Sequence, residues 1–409
     1  MILQREGSVL ATEDADLVEM EFRTPIGAHA QIELNAALAD YSGDEVEIIL
    51  STQVIGVTQR QVAEALDMPK EKVNVVPTYL GGGFGRRLNT SHAIVAAKLS
   101  KAVGKPVKYI FTRQEEFQND TFRPPTHHIV RGKLASDGSI DSLEHHWASG
   151  DVAIGSAIFP AVMHDAMGTD VGAMRGGKVQ YQKIPNVRAV QWHKTLPFAT
   201  SWWRSLGLLA NTFAIESVVD ELAIQAEKNA AEFRLSHLAD DETGARIRKV
   251  IEVAVENSAY TEEVSGGRAM GLAASIDAGS PCAQVIEISM TDRGVRVERV
   301  TCAFDCGLAV NPDQVTAQVE GAIIMALSAS TLERMYLEDG ALQPTNYGPY
   351  DVARLRHAPR EINVHLVQGV DHPLPVGEPP LGPTGAALAN ALRRLTGTRQ
   401  TELPLSLQA

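Results

Sequence analysis

Cysteine is scarce in this sequence: only Cys282, Cys302 and Cys306 occur among its 409 residues. Three thiols are too few for a disulfide framework, and an iron–sulfur cluster normally takes about four thiolates. Cys302 and Cys306 are four residues apart, but no second pair follows that would complete a zinc site. Small buried strand residues are therefore the favoured interpretation. If the protein transfers electrons, the clusters that carry them are expected in another chain.

Long apolar runs are also missing, since no stretch approaches the roughly 20 residues that a membrane-spanning helix requires. The N-terminus, MILQREGSVLATEDADLVEMEF, has no basic region followed by an apolar stretch, so it shows no export signal. We therefore expect no transmembrane segment. A cytoplasmic location is the default expectation, and a periplasmic one applies if the protein is exported with a partner.

Positive charge is in deficit, with 37 Lys and Arg against 50 Asp and Glu and a formal net charge of −13. A nucleic-acid-binding protein needs clustered Lys and Arg to contact phosphates, so this balance argues against a nucleic-acid partner. Hydrophobic residues at 44% and charged residues at 21% are typical of a globular protein without a long disordered tail.

The length of the chain predicts two or three packed domains. Val- and Ile-rich runs predict strands at 45–52, 72–80, 106–112, 283–290, 295–305 and 361–369, with a hairpin over 129–149. Helical spacing predicts helices at 57–68 and 91–104, from near Asn211, after the caps Asn229 and Asn311, and over 386–397. This mixture indicates an α+β (mixed α/β) fold. The polar stretch 240–249 predicts a boundary between domains 1–240 and 241–409.

A glycine cluster, LGGGFGRR at residues 80–87, lies between a predicted strand and a predicted helix. Glycines let the backbone approach a ligand closely and leave N–H groups available at a helix start. The spacing fits neither a Walker A loop nor the dinucleotide fingerprint. Phe84 among these glycines suggests a wall against a flat or compact ligand. For this segment alone, a tight structural turn is an equally good interpretation.

Two further segments contain candidate side chains. In VGEPPLGPTGAALAN (376–390), Glu378 precedes two prolines, which restrict the loop and hold the carboxylate in place; an ordinary solvated glutamate is the alternative. In WWRSLG (202–207), Arg204 follows two tryptophans and could clamp a planar or anionic ligand. It could equally be a buried arginine that pairs with Glu216 or Asp220.

Two pairs of adjacent histidines, His127–His128 and His145–His146, fall on predicted strands. Neighbouring side chains on a strand point to opposite faces, so we do not expect these pairs to bind a metal. No GxSxG, HExxH or P-loop pattern occurs in the chain. The candidate segments therefore match no common hydrolase, metalloprotease or nucleotide-binding pattern.

Taken in order along the chain, these segments resemble the large subunit of the xanthine dehydrogenase and aldehyde oxidase superfamily. The resemblance is strongest to the bacterial isoquinoline 1-oxidoreductase beta-subunit type. It covers nearly the whole chain and rests on AHAQIELNAAL, STQ (51–53), LGGGFGRR, YQKIPNVR (181–188), WWRSLG, ESVVDELA (216–223), DCGLAVNPDQVTAQVEGAI (305–323) and VGEPP.

The resemblance implies a pair of molybdenum-cofactor-binding domains that hold molybdenum–molybdopterin cytosine dinucleotide, with no protein side chain coordinating the metal. It implies that Glu378 is the catalytic base and that Gln53 approaches the apical oxygen of the metal. The residues that the resemblance places against the cofactor are Gly82, Gly83, Phe84, Gly85, Arg204, Gln318, Thr384 and Gly385.

The function implied by this resemblance is hydroxylation of an aldehyde or N-heteroaromatic substrate with oxygen from water. Electrons would pass to 2Fe-2S clusters in a separate small subunit. Relatives carry a further cofactor-binding portion ahead of AHAQIEL, which we expect from a second chain. The alternative is a non-catalytic relative that has lost the cofactor and acts as a binding or scaffold subunit. A phosphate-binding α/β enzyme that uses LGGGFG as an anion nest is a weaker third interpretation.

Overall fold

The structure, a computed structural model, describes residues 1–8, 17–153, 158 and 169–408. The strands are β1 (Ile2–Glu6), β2 (Val18–Thr24), β3 (Ala36–Ser42), β4 (Glu45–Leu50), β5 (Val73–Pro77), β6 (Val107–Ile110), β7 (Thr126–Leu134), β8 (Ile140–Ser149), β9 (Asn186–His193), β10 (Arg268–Asp277), β11 (Ser280–Thr291), β12 (Gly294–Asp305), β13 (Tyr336–Glu338), β14 (Ala341–Gln343) and β15 (Glu361–Val367). The helices are α1 (Ile55–Leu66), α2 (Ser91–Val103), α3 (Arg113–Gln118), α4 (Leu208–Gln225), α5 (Ala230–Ser236), α6 (Glu242–Ser258), α7 (Pro312–Thr331) and α8 (Gly382–Thr396). Short 3₁₀ turns occur at Lys70–Lys72, Arg86–Leu88, Leu355–His357 and Pro379–Leu381.

The first sheet has the strand order β5-β4-β3-β6, and helices α1 and α2 pack against it. Its inward-facing residues, including Val46, Ile48 and Leu50, alternate with exposed or half-exposed ones along β4. This is the pattern of a strand with one buried face. Because β4 and β5 are parallel, the loops that follow them leave the same edge of the sheet.

A second, larger layer is built around α4. The five-stranded sheet has the order β1-β9-β8-β7-β2, and the four-stranded sheet has the order β10-β11-β12-β15. Helix α4 contacts β2 and β7 on one side and β10 and α8 on another, so it is apolar on nearly its whole circumference. Phe22 and Phe213 meet edge to face with ring centroids 5.3 Å apart. One continuous hydrophobic cluster therefore links both sheets through this helix.

The fold class is confirmed as mixed helix and sheet. The stretch 240–249 predicted as a boundary is mostly the start of α6, capped by the side chain of Asp241. Residues from both sides of it share the same hydrophobic cluster, so the division at residue 240 stays a prediction.

Helix ends follow local chemistry that only part of the sequence pattern predicted. Asn311 is the N-cap of α7, and its side chain accepts the Gln314 N–H at 3.1 Å, as predicted. By contrast, α4 begins at Leu208 rather than near Asn211, because Leu208 to Ala210 are buried and continue its apolar surface. The final helix begins at Gly382, four residues earlier than predicted, because it follows directly on the proline-rich turn.

The remaining predictions concern cysteines and membrane segments. All three cysteines are buried and unbonded, and the sulfur atoms of Cys282 and Cys302 lie 3.5 Å apart, so the interpretation as buried strand residues is confirmed for Cys302. Among the helices within the described ranges, none has the length and apolar character needed to cross a bilayer. The Gly- and Met-rich loop over 150–180 lies partly outside the described residues.

Candidate active site

The loops after β4 and β5 bring two of the predicted segments together. Residues 51–53 follow β4, and the glycine cluster follows β5. Because these strands are parallel, both loops start at one sheet edge, where the Thr78 N–H donates to the Leu50 carbonyl at 2.9 Å. The Gln53 N–H donates to the Arg87 carbonyl at 3.3 Å, and the Gln53 side chain is exposed. Gln53 therefore lies beside the end of the glycine cluster.

Glu33 and Arg87 anchor the glycine cluster from below. One Glu33 carboxylate oxygen accepts the Gly81 N–H at 2.6 Å and an Arg87 Nη2 hydrogen at 3.0 Å. Arg87 Nε also donates to the Gly82 carbonyl at 3.2 Å. Burial lowers the pKa of the Arg87 guanidinium, and the neighbouring Glu33 carboxylate opposes that shift. The loop is thus held by a buried ion pair rather than by side chains of its own.

Phe84 and Gly85 are in backbone conformations that L side chains rarely adopt. Phe84 has φ of 56° and its side chain is 40% exposed. A non-glycine residue in this region costs on the order of 1–3 kcal/mol, and such strain concentrates at functional sites. Gly85 has φ of 113°, and a Cβ there would collide with the carbonyl of Trp202. The Phe84 carbonyl in turn accepts the Arg204 N–H at 2.8 Å.

Arg204 joins three of the predicted segments through its guanidinium. Its Nε donates to the Gly377 carbonyl at 2.6 Å, and its Nη2 lies 3.1 Å from both the carbonyl and the side-chain oxygen of Gln318. Burial lowers the pKa of Arg204, and Glu378 opposes that shift. Arg204 therefore connects the glycine cluster, the QVEG segment and the GEPP segment.

The alternative partners considered for Arg204, Glu216 and Asp220, are used by another arginine. Arg234 Nε donates to Glu216 Oε2 at 2.8 Å, and its Nη1 lies 3.6 Å from Asp220. All three side chains are buried. The structural interpretation of Arg204 as the partner of Glu216 or Asp220 is therefore wrong.

Glu378 is about one-third exposed and is held from two directions. Arg175 Nη1 donates to its Oε2 at 2.7 Å, and the Ser205 N–H donates to its Oε1 at 3.3 Å. The Ser205 hydroxyl also donates to the Glu378 carbonyl at 2.8 Å. Ser205 and Leu206 both have positive φ, so the backbone is turned sharply at this contact. The proline-rich loop thus presents a fixed carboxylate, which the motif alone left open.

Arg175 and Asp277 were not found by sequence reasoning. Asp277, at the end of β10, pairs with Arg175 through both carboxylate oxygens and is almost fully buried. Burial would lower the pKa of Arg175, but the two carboxylates Asp277 and Glu378 raise it overall. Burial raises the pKa of Asp277, and Arg175 opposes that shift. No local pattern marks either residue, since Arg175 lies in an irregular loop.

The segment that carries Arg175 is fixed by buried side chains. The indole of Trp147 donates to the Ala173 carbonyl at 3.2 Å. Asn211 donates to the Ala173 and Arg175 carbonyls at 3.0 and 2.8 Å. His145 Nδ1 lies 3.0 Å from the Gly177 carbonyl, the geometry of a ring N–H donating to it. These contacts set the direction from which Arg175 reaches Glu378.

The histidines behave differently from their local pattern. His128 and His145 stack in parallel with ring centroids 5.3 Å apart and a nitrogen–nitrogen distance of 3.0 Å. Neighbours along one strand diverge, as predicted, but residues of β7 and β8 on the same face meet across the sheet. Burial lowers the pKa of His128 well below its usual value and that of His145 to about 4.

Thr384 and Gly385, also expected near the cofactor, are inside the protein. The Thr384 hydroxyl donates to Gln284 Oε1 at 2.8 Å, and a Cβ on Gly385 would lie 2.8 Å from the hydroxyl of Ser330. Both residues are buried, so the structure does not bring them to the surface that carries Glu378. They support the first turn of α8, which directly follows the GEPP segment.

The donor set of the site fits a metal that brings its own organic ligand. In the ranges that the structure covers, no group of three His, Cys, Asp or Glu side chains is arranged to hold a metal ion. The loop instead offers glycine backbone at 82–85, the exposed ring of Phe84 and the exposed amide side chains of Gln53 and Gln318. These groups suit hydrogen bonding to oxo and pterin groups without direct coordination.

Comparison with known proteins gives relatives over nearly the whole chain. The isoquinoline 1-oxidoreductase beta chain of Brevundimonas diminuta is 30% identical over 402 residues, which is 97% of this chain and 51% of the relative. The membrane-bound aldehyde dehydrogenase [pyrroloquinoline-quinone] of Gluconacetobacter polyoxogenes is 29% identical, covering 95% and 53%. A nicotinate dehydrogenase subunit of Pseudomonas putida is 26% identical, covering 94% and 34%. The chain thus spans about half the length of these curated relatives, or less.

Solved structures share the fold at low sequence identity. Quinoline 2-oxidoreductase from Pseudomonas putida 86 matches with a TM-score of 0.81 and 15% identity, covering 98% of this chain and 77% of that chain. Aldehyde oxidoreductase from Desulfovibrio gigas matches with a TM-score of 0.79 and 14% identity, covering 98% and 62%.

Two family models match the sequence itself. Residues 3–238 match one molybdopterin cofactor-binding domain, and residues 200–359 match a second model of the same description. The first match alone covers more than half of the chain. The chain therefore belongs to the molybdopterin cofactor-binding domain family, in the xanthine dehydrogenase and aldehyde oxidase superfamily of molybdenum-binding large subunits.

Proposed function

We propose that this chain is the substrate-side portion of a molybdenum hydroxylase that oxidises an aldehyde or an N-heteroaromatic compound with oxygen from water. One observation carries the proposal: Arg204 connects the glycine cluster to Gln318 and to the loop of a partly exposed, fixed glutamate, Glu378. The relatives named for isoquinoline, aldehyde and nicotinate oxidation support this reaction class.

The residues proposed to hold the cofactor are Gln53, Gly82, Gly83, Phe84, Gly85, Arg204 and Gln318. Bound molybdopterin would supply a molybdenum centre that accepts the substrate's electrons. Gln53 and Gln318 would donate or accept hydrogen bonds through their exposed amides, which adds no charge to the site. Phe84 would pack its ring beside the cofactor, while the backbone at 82–85 approaches closely for lack of side chains. Thr384 and Gly385 are proposed only as supports of the loop that carries Glu378.

Glu378 is proposed as the base that takes a proton from the water-derived oxygen as it attacks the substrate. Its Oε2 is engaged by the Arg175 guanidinium at 2.7 Å, whereas its Oε1 receives only the longer bond from the Ser205 N–H at 3.3 Å. Charge-assisted bonds are the stronger ones, so Oε1 is the oxygen left free to accept the proton. Arg175 would act as a positioning residue through Oε2.

The electron path is proposed to leave through a separate iron–sulfur subunit. The three cysteines of this chain are buried, and three thiolates do not make a 2Fe-2S site. We further propose the cytosine dinucleotide form of the cofactor, with part of its binding surface supplied by protein outside these 409 residues, in a second chain or in a longer polypeptide. Both proposals rest on the resemblance to the isoquinoline 1-oxidoreductase type.

The test is Glu378→Gln in the assembly as it co-purifies from the native host. We expect turnover of an aromatic aldehyde or of isoquinoline to fall by about 10²–10⁴-fold, with molybdenum content unchanged. Glu256→Gln, on the exposed face of α6, is the matched control and should leave turnover unchanged. Unchanged turnover in Glu378→Gln, or an assembly that lacks molybdenum and cytosine nucleotide, would favour the cofactor-less binding or scaffold role instead.

A further inference from the structure

A basic groove lies at the far end of α7 from the candidate active site. It is formed by the turn between β11 and β12, the last turn of α7, the segment 356–360 and Leu407. Gln318 is in the second turn of α7, whereas Thr331 of the groove ends the helix. At 1.5 Å of rise per residue the two are separated by about 20 Å. The groove is therefore separate from the surface that carries Glu378.

Four arginines and a histidine line this groove: Arg293, Arg296, Arg356, Arg360 and His357. The whole chain has a net charge of −13, so the groove reverses the general sign of the surface. Clusters of one sign in a concave surface focus the electrostatic potential and attract the opposite charge. The groove is thus suited to an anion although the protein is acidic.

Most of this positive charge is not neutralised by the described part of the protein. Within the described ranges, Arg293 and Arg296 form no ion pair, and both are exposed. Arg356 contacts His357, through an Nε–Nε2 distance of 2.9 Å. Arg360 has a carboxylate partner, Glu298, at 3.1 Å. Asp292 is the one acidic residue that lines the groove itself, so the cations outnumber the anions.

The floor of the groove is apolar. Val295 and Val297 of β12, Leu327 and Leu332 at the end of α7, and Leu407 supply aliphatic surface beneath the arginines. The cavity has a volume of about 670 Å³. Pockets that bury small molecules are usually between roughly 300 and 1,000 Å³. The groove can therefore accept an apolar body of small-molecule size as well as a charged group.

We propose that this groove binds an organic anion that joins an apolar body to a single phosphate or carboxylate group. The planar guanidinium groups of Arg293 and Arg296 would contact the oxyanion in a forked geometry that lysine does not offer. The aliphatic floor would cover the apolar body. Such an anion has two sources, a free amphipathic metabolite and the headgroup and chain of an anionic lipid, and the two are separated by experiment.

The probe is dodecyl phosphate below its micelle concentration, titrated calorimetrically into the full protein with whatever subunits co-purify. We expect saturable binding at one site per chain, and weaker binding of the neutral dodecanol and of inorganic phosphate. Arg293→Gln combined with Arg296→Gln should weaken dodecyl phosphate binding about tenfold or more, because charge-assisted bonds are lost. Arg334→Gln, an exposed arginine outside the groove, is the matched control and should bind as the native protein does.

A second arm uses vesicles of phosphatidylcholine with and without phosphatidylglycerol. Sedimentation with the anionic vesicles, reduced in the double variant, together with monomer binding, identifies a lipid as the source; monomer binding alone identifies a free metabolite. Dodecyl phosphate that fails to saturate, or that binds the double variant as tightly as the native protein, overturns the proposal. Capture by anionic vesicles without monomer binding also overturns it, because that result means nonspecific surface adsorption. The native turnover of the assembly should be the same in all these variants.

Discussion

Arg175 Nη1 lies 2.7 Å from Glu378 Oε2, although the two residues are 203 positions apart in the chain. The same guanidinium pairs with Asp277, which is nearly fully buried. Glu378 is therefore not a free surface carboxylate, since its orientation depends on an arginine from a distant loop. This relationship explains how a partly exposed glutamate can be held in one place.

Arg175→Gln is predicted to lower turnover while leaving the molybdenum content unchanged. Glutamine cannot reach and pair with Asp277 and Glu378 together, so the Glu378 carboxylate loses its orientation. Misplacement of a catalytic group by a small distance costs on the order of 100-fold in rate. Steady-state kinetics should show the loss in kcat rather than in KM.

The control for this variant is Arg268→Gln. Arg268 pairs with Glu287 on the surface of β10, the strand that also carries Asp277, and it lies outside the site. Its turnover should match that of the native protein. If Arg175→Gln turns over at the native rate, Arg175 does not position Glu378.

Gly85→Ala is predicted to reduce both stability and cofactor content. The new Cβ would collide with the Trp202 carbonyl, so the glycine cluster must move away from the WWRSLG segment. Gly43→Ala provides a matched control, since Gly43 also has positive φ, 64°, but its Cβ would meet nothing within 4 Å. Placing alanine at positive φ costs roughly 1–2 kcal/mol in both variants.

Thermal unfolding and molybdenum analysis of the two glycine variants separate strain from collision. Gly85→Ala should unfold at a clearly lower temperature than Gly43→Ala and should contain less molybdenum. Equal losses in the two variants would mean that the contact with Trp202 does not matter for the cofactor.

His145 is predicted to make the fold less stable in acid. Its pKa is lowered from 6.5 to about 4 by burial, so the unfolded chain binds a proton that the folded protein does not between those values. The stability that comes from the neutral ring is complete above pH 6.5 and is lost as the pH falls towards about 4. Over this interval the loss is about 3 kcal/mol. In His145→Gln the free energy of unfolding should depend less steeply on pH in the same range, as measured by denaturant titration. An identical slope in both proteins would contradict the prediction.

The sequence predicted one half of the site because its strands are regular. Val- and Ile-rich runs correctly indicated β4 and β5, and their parallel pairing is what places Gln53 beside the glycine cluster. The resemblance then selected Glu378 and Arg204 over their ordinary structural interpretations. For Arg204, the contacts with Gly377 and Gln318 agree with that choice.

Other parts of the site depend on contacts that no local pattern encodes. Arg175 lies in an irregular loop, and its direction is set by Trp147 and Asn211 from two different elements. The meeting of His128 and His145 follows from the register of β7 and β8, which the spacing of adjacent histidines cannot reveal. Thr384 follows the GEPP segment closely in sequence, but the helix that starts at Gly382 turns its side chain inward.

The most direct test of the central claim is the position of molybdenum in a crystal of the native assembly, measured by anomalous scattering at the molybdenum edge. The account predicts one strong peak in the space bordered by Gln53, the Phe84 backbone and the Glu378 carboxylate. A peak elsewhere in the assembly, with that space filled by protein or solvent, would contradict the assignment of Glu378 as the base.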